Sequence, residues 1–221
     1  PLLKETLFES LVSVDSMPFL NDHRIFGQIV VSGATYVSLL LGACELTFGT
    51  EGMVLEDILF PQALAIPDNN DGTALQLAIT PEGETRASFK LISIKPNCTN
   101  VSKMWTTHAA GMIATDPITR TDFRLPVSDF DSISLEFPEE IKGETLFQAM
   151  QSRQIVLGPS YQWTKYIYKG TEKALGKMRM PPVLRADRSI GKYHLHPGLI
   201  DSCFGVLVAT IDIGSEDTYV P

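Results

Sequence analysis

Two segments of helix length carry almost no polar face, and they narrow the folds open to this chain more than any other feature. Residues 33–47, GATYVSLLLGACELT, are apolar on nearly every side and follow Ser32, which is placed as an N-cap. A helix of that composition has to be buried all round. The second segment, LIDSCFGVLVATI, is opened by His196-Pro197-Gly198, with Pro197 suited to a first helical position. Neither approaches the roughly 18 uninterrupted apolar residues of a membrane span. The longest run, 36–48, is broken by Ser38, Gly42 and Glu45. With 44% apolar and 20% charged residues, the 221-residue chain reads as globular, one large domain or two small ones.

Around these helices the pattern changes to strands. Residues 53–66, 73–80, 86–95 and 104–115 have strand character and are separated by turn material such as DNNDG and PEGET. One buried helix followed by an antiparallel run predicts a sheet wrapped around a helix. Residues 116–144 hold three prolines and eight acids against three bases, which reads as a linker with at most short strands. Beyond it come a short helix over 145–153 and strands over 162–169 and 172–180 joined at Gly170. Written together, SGATYVSLLLGA and PGLIDSCFGVLV align Gly33 with Gly198 and Tyr36 with Asp201. An internal duplication is the simplest account, in an α+β chain divided at 1–115, 116–144 and 145–221. Only one copy supplies a carboxylate, so the two halves should build one composite site.

A net charge of −8 argues against nucleic acid or an anionic membrane as partner. The charge is uneven: 165–192 holds eight bases against two acids. A solvated strand face is the plain reading of that stretch; a docking surface for an acidic partner, centred on Lys165, Lys169 and Arg179, is the sharper one. Three cysteines (Cys44, Cys98, Cys203) fit free buried thiols in a reducing compartment, and PLLKETLFES has no export leader, so a cytoplasmic address is expected. Asn97-Cys98-Thr99 and Asn100-Val101-Ser102 match the glycosylation pattern by chance on this reading.

No G-x-G-x-x-G or G-x-x-x-x-G-K-[ST] motif is present, so neither a dinucleotide nor a P-loop cofactor is indicated. Gly158-Pro159-Ser160 begins like a nucleophile elbow, but Gln162 stands where glycine is needed. Zinc would have to draw on His194 and His196 with Asp201 or His23, and the cysteines lack metal spacing. The informative residues are His23, in a polar turn before an apolar strand, and Asp201, inside an apolar helix. An ionised carboxylate there is costly unless paired or protonated. Desolvation raises its pKa and lets it donate a proton near neutrality, while a neutral histidine can accept one. Such a pair across a hydrophobic slot defines an elimination or addition site.

At these residues a resemblance becomes specific. DHRIFGQIVVSGATY resembles the HxxxGxxxxP region of polyketide synthase dehydratase domains, LGPSYQ resembles their YGPxF segment, and HPGLIDSCFG is similar to their HPxLLDxxxQ region, in the family's order. The resemblance implies a double hotdog, two helix-in-sheet halves sharing one tunnel, that dehydrates a β-hydroxyacyl thioester on the phosphopantetheine arm of an acyl carrier protein. It implies His23 as the base that takes the α-proton and Asp201 as the acid that protonates the leaving hydroxyl. Gly27, Gly33, Leu157, Gly158, Pro159, Tyr161 and Gly205 line the substrate site on this reading. No metal or organic cofactor is expected. The partners expected are the carrier protein, the other domains of a multidomain synthase and a second copy in a homodimer. The amide at Gly33, at a helix N-terminus, is placed to serve the thioester carbonyl.

Three positions depart from the family pattern. Ser32 replaces its proline, Leu157 its tyrosine, and Gly205 the glutamine or histidine four residues after the aspartate. The last removes a side chain that orients the acid, so Tyr161 or a water holds Asp201 instead, or the site is slow, altered or silent. Only twelve residues follow Ala209, and the second half is expected to be incomplete at its C-terminus. Double-bond shifting and oxa-Michael ring closure need the same pair, and a catalytically idle carrier-binding or structural module is the reading from another class.

Overall fold

The computed structural model describes residues 5–49, 53–68, 72–94, 105–115 and 130–210. The first apolar segment is helix α1 (Gly33–Phe48), capped by Ser32, whose hydroxyl accepts the Thr35 amide proton at 3.2 Å. Strands β1 (Thr6–Val12), β2 (His23–Ile25) and β3 (Gln28–Val31) precede it, and β4 (Val54–Leu59), β5 (Leu64–Ile66), β6 (Thr73–Pro81), β7 (Arg86–Ile94) and β8 (Trp105–Ala114) follow. An antiparallel sheet in the order β1-β6-β7-β8-β4 presents alternate residues to the helix: Leu75, Leu77 and Ile79 from β6, and Ala87, Phe89 and Leu91 from β7. They meet Tyr36, Leu40, Ala43 and Cys44 in one core. Each such fully buried large side chain contributes about 1.5–3 kcal/mol.

The expected single strand over 53–66 is two strands in two sheets, β4 beside β8 and β5 beside β3. Pro61 stands between them and has no amide to donate, so the ladder stops there. Burial all round also fails at the end of α1, where Leu46 is 78% exposed.

The second half is built from α2 (Phe130–Ser134), β9 (Glu139–Lys142), α3 (Gly143–Ser152), β10 (Ile155–Leu157), β11 (Thr164–Gly170), β12 (Lys173–Met178), α4 (Pro182–Arg185) and α5 (Pro197–Thr210). Strands β12-β11-β9 form an antiparallel sheet against which α3 and α5 pack. A Cβ at Gly176 would fall on Val206, so the glycine sets how closely α5 can approach β12. Strand β10 leaves this half and joins the sheet β10-β2-β3-β5, with Leu157 opposite His23. The stretch 145–221 therefore lends a strand to the first half, and β9 gives part of the expected linker a place in the second sheet. Helices α1 and α5 pack on each other. Ser38 Oγ donates to the Leu195 carbonyl at 2.8 Å, and Glu45 pairs with His194. Cys44 is buried, its thiol pushed up to about 11, but Cys203 is exposed, against the expectation of buried thiols. Cys98, both glycosylation-like triplets and residues 116–129 lie outside the described residues.

Candidate active site

His23 opens β2 and is buried. Its Nδ1 donates to the Val30 carbonyl on the neighbouring β3 at 2.7 Å. In the neutral ring that bond puts the proton on Nδ1 and leaves Nε2 with a lone pair, the tautomer a base requires. The hairpin that creates the bond turns at Phe26 and Gly27, with φ of 51° and 79°. Two successive left-handed residues make the tight turn whose twist suits antiparallel strands. Gly27 is exposed at the turn and does not line the cavity, contrary to the expectation for it.

Asp22, one residue before the histidine, ties the second half to this place. Its carbonyl accepts the Gly158 amide proton at 2.7 Å and its Oδ2 accepts that of Ser160 at 2.8 Å. A Cβ at Gly158 would fall on the Asp22 side chain, which is why glycine stands there. Tyr161 follows, fully buried, its ring 5.1 Å from that of His23. Its hydroxyl bonds Ser32 at 3.3 Å and Thr35 at 3.4 Å, so it anchors the start of α1 and has no hydrogen bond to Asp201. The serine that replaces the family's proline is thus both the cap of α1 and a partner of this phenol.

Asp201 is placed by three tethers on α5. Ser202 Oγ donates to the Tyr161 carbonyl at 3.0 Å. A Cβ at Gly198 would come within 3.0 Å of Tyr161 Cα, so only glycine lets the helix start here. His196, among Phe19, Trp163 and Tyr193, accepts the Gly198 amide proton on Nδ1 at 3.0 Å. Burial pushes its imidazole down to about 4, with Asp187 opposing, and so keeps it neutral. Its role is to start the helix, and His194 is occupied by Glu45.

The two groups meet in a cavity of about 180 Å³ that also takes in Gly33, Tyr36, Phe60 and Gln62. Asp201 keeps some exposed surface, but its carboxyl is enclosed; burial raises its pKa and His23 opposes the rise. Gly33 lies under the Phe60 ring, where a Cβ would sit 3.0 Å from the ring carbons. Its amide belongs to the first turn, among those a helix leaves without an internal acceptor. The segment carrying Phe60 and Gln62 is fixed by buried His108, whose ring nitrogens bond the Gln62 carbonyl and Ser93 Oγ, each at 2.8 Å. Leu157 is buried opposite His23, and Gly158 and Pro159 form the turn behind it; none of the three lines the cavity. Among the described residues nothing lies within 4 Å of where a Cβ at Gly205, one turn beyond Asp201, would stand.

The basic residues divide. Lys165 and Arg179 line a separate groove of about 380 Å³ with Arg185, Trp163 and Glu144. Lys169 is apart from it, opposite Glu139 in the β9–β11 register. Lys173 and Lys177 reach Glu136 and Asp131, each at 3.8 Å. Among the described residues no three His, Cys, Asp or Glu side chains converge as a metal site, and no helix is long and apolar enough to cross a membrane. Sequence reasoning passed over Asp22, although it lies in the motif with His23. It also passed over Phe60 and Gln62, whose signal was the proline that interrupts their strand.

A buried histidine and an enclosed carboxyl line one cavity between two helix-in-sheet halves, the class of site in which a proton acceptor and a proton donor can face one another. Family models agree with that class. Residues 1–94 match the polyketide synthase dehydratase domain and 108–221 the polyketide synthase dehydratase N-terminal domain. The chain belongs to the polyketide synthase dehydratase family, and its fold is the double hotdog. The dehydratase domain from the CurJ module of curacin polyketide synthase is 35% identical, with a TM-score of 0.79 over 95% of this chain and 68% of that one. The CurF dehydratase is 27% identical, with a TM-score of 0.81 over 94% and 71%. Polyketide synthase ThaG of Burkholderia thailandensis is 26% identical over 96% of this chain, which spans 4% of that protein's length.

Proposed function

We propose that this chain removes water from a β-hydroxyacyl thioester carried on an acyl carrier protein, leaving an α,β-unsaturated thioester. His23 Nε2 takes the α-proton, which the thioester carbonyl acidifies. The electron pair of the broken C–H bond forms the double bond as the β-carbon–oxygen bond breaks, and Asp201 gives its proton to the hydroxyl, which leaves as water. Proton transfer from the imidazolium to the Asp201 carboxylate then restores both groups. The Gly33 amide, at the positive end of α1, serves the carbonyl as negative charge builds on it. The observation that carries the reading is the single enclosed space shared by an Nε2 lone pair and a carboxyl whose pKa is raised. A CurJ dehydratase in which a histidine is replaced by phenylalanine is an inactive mutant, which supports a histidine in the chemistry.

The same reading takes the groove with Lys165 and Arg179 as the landing place of an acidic carrier. It sets the domain in a cytoplasmic, homodimeric, multidomain synthase and needs neither metal nor organic cofactor. Gly205, which lacks the side chain the family pattern places four residues after the aspartate, favours a second reading, an impaired dehydratase that only holds the carrier. Incubating the full-length protein with 3-hydroxyacyl pantetheine thioesters and following the mass separates the two. Loss of water supports the first reading. Inertness toward every chain length and hydroxyl configuration, in wild type and in Gly205→Gln alike, overturns it.

A further inference from the structure

Among the described residues the cavity holds a buried polar group that the catalytic pair leaves unused. Tyr36 is 3% exposed and lines the cavity with His23 and Asp201, yet among the described residues its hydroxyl has no hydrogen-bond partner. The Leu64 carbonyl is near enough to pull its pKa down a little, without hydrogen-bond geometry; burial dominates and keeps the phenol protonated, a donor. The ring is held by Phe60 at 6.2 Å and by His108, stacked at 6.1 Å. Phenylalanine would pack equally well and would not bury an unpaired donor. What distinguishes tyrosine here is therefore the hydrogen bond it can give to something that enters the cavity.

Its position says which part of a substrate it meets. Tyr36 is three residues beyond Gly33 on the same side of α1, about 4.5 Å further along the axis. It stands between the cavity and the apolar interior of the first half, where Leu40, Phe89 and Leu91 surround it. We infer that an acyl chain with its carbonyl at Gly33 and its β-carbon between His23 and Asp201 runs past Tyr36 beyond the β-carbon, and that Tyr36 is a specificity-determining residue that donates to an oxygen there, so the preferred substrates carry a second hydroxyl or keto group at that place. A site built to hydrogen-bond such an oxygen rejects a chain that lacks it. This inference rests on the acyl-thioester reading above.

The test measures binding to the full-length protein by calorimetry, so it does not depend on turnover. Its probes are unreactive pantetheine amides of plain acyl chains and of the same chains bearing a 5- or 7-hydroxyl or a 5- or 7-keto group. Wild type should bind at least one oxygenated probe about tenfold more tightly than its plain counterpart. Tyr36→Phe, which keeps the ring packing, should bind the plain chain as wild type does and lose the preference. No preference in wild type for any oxygenated probe, or a preference that survives in Tyr36→Phe, overturns the inference. Water loss is measured separately with 3-hydroxyacyl pantetheine thioesters of several chain lengths and both hydroxyl configurations, with and without a 5- or 7-oxygen. Inertness toward all of them with an intact oxygen preference sinks the dehydratase reading alone, and turnover without any preference sinks this inference alone.

Discussion

Helices α1 and α5 carry nearly the same apolar pattern and sit in different surroundings. Two sheets wrap α1, and its first turn is held from inside by Ser32, Thr35 and the phenol of Tyr161. Helix α5 rests on β11, β12 and α1 and is held at its start by His196, Gly198 and Ser202. His23 accordingly sits in a hairpin that its bond to the Val30 carbonyl fixes, whereas Asp201 is set by the bonds at the start of its helix. Where an apolar helix lies is decided by the strands around it. What the helix itself decides is which residue faces its partner, here Tyr36 from one copy and Asp201 from the other.

Asp22 is one of the links between the two regions, and breaking it tests how far the placing of Asp201 depends on the framework around His23. Asp22→Ala removes the acceptor for Ser160 and frees the turn that carries Tyr161. A displacement of about 1 Å at the catalytic pair costs about a hundredfold in rate. We expect kcat to fall by that order with little change in KM, and Asp22→Asn to recover part of it. A fall confined to KM would mean that the turn contacts substrate and does not position the pair.

The anchoring of α5 has a pH signature. Folding lowers the His196 pKa from 6.5 to about 4, so the unfolded chain binds more protons between those values and stability rises with pH there. The contribution is complete above pH 6.5 and is lost as pH falls toward 4, amounting to about 3 kcal/mol. Chemical denaturation from pH 7 to 4 should show that loss in wild type and a flatter profile in His196→Phe, which starts from lower stability because Gly198 loses its acceptor. Asp201 has the opposite sign: its raised pKa means that the charge costs stability as pH rises above the unfolded value near 3.9. Asp201→Asn should therefore melt higher than wild type at pH 7 while losing activity. Melting at a lower temperature would mean that the carboxylate is paired, not merely enclosed.

Gly205 should give the smallest effect. Among the described residues nothing stands where its Cβ would go, and replacing a mid-helix glycine stabilises by about 1 kcal/mol. Gly205→Gln should raise the melting temperature by a few degrees and, by reaching back one turn to Asp201, raise kcat modestly. A loss of stability would show that the helix face there is already filled.

Both apolar helices, the N-cap at Ser32 and the strands over 73–80 and 86–95 could be read from local pattern, because a 3.6 or a 2 period reports which face is buried. His23 and Asp201 could be read from motifs and from the oddity of a carboxylate among apolar residues. The pairing of Leu157 with His23 could not, since strand partners 134 positions apart leave no local trace. Nor could the reach of Asp22 to Ser160, the exposed turn that Gly27 serves, or the separation of Lys169 from Lys165 and Arg179. Each depends on where a neighbouring strand is laid down.

The account stands on His23 and Asp201 acting as one unit across the two halves. Water loss from a 3-hydroxyacyl pantetheine thioester, compared for wild type, His23→Gln, Asp201→Asn and the double variant, tests that directly. Groups that act together are non-additive, so each single change should lower kcat by about 10²–10⁴-fold and the double variant should be little worse than either. A single variant that keeps a tenth or more of the activity, or a double variant whose loss is the product of the two, would contradict it.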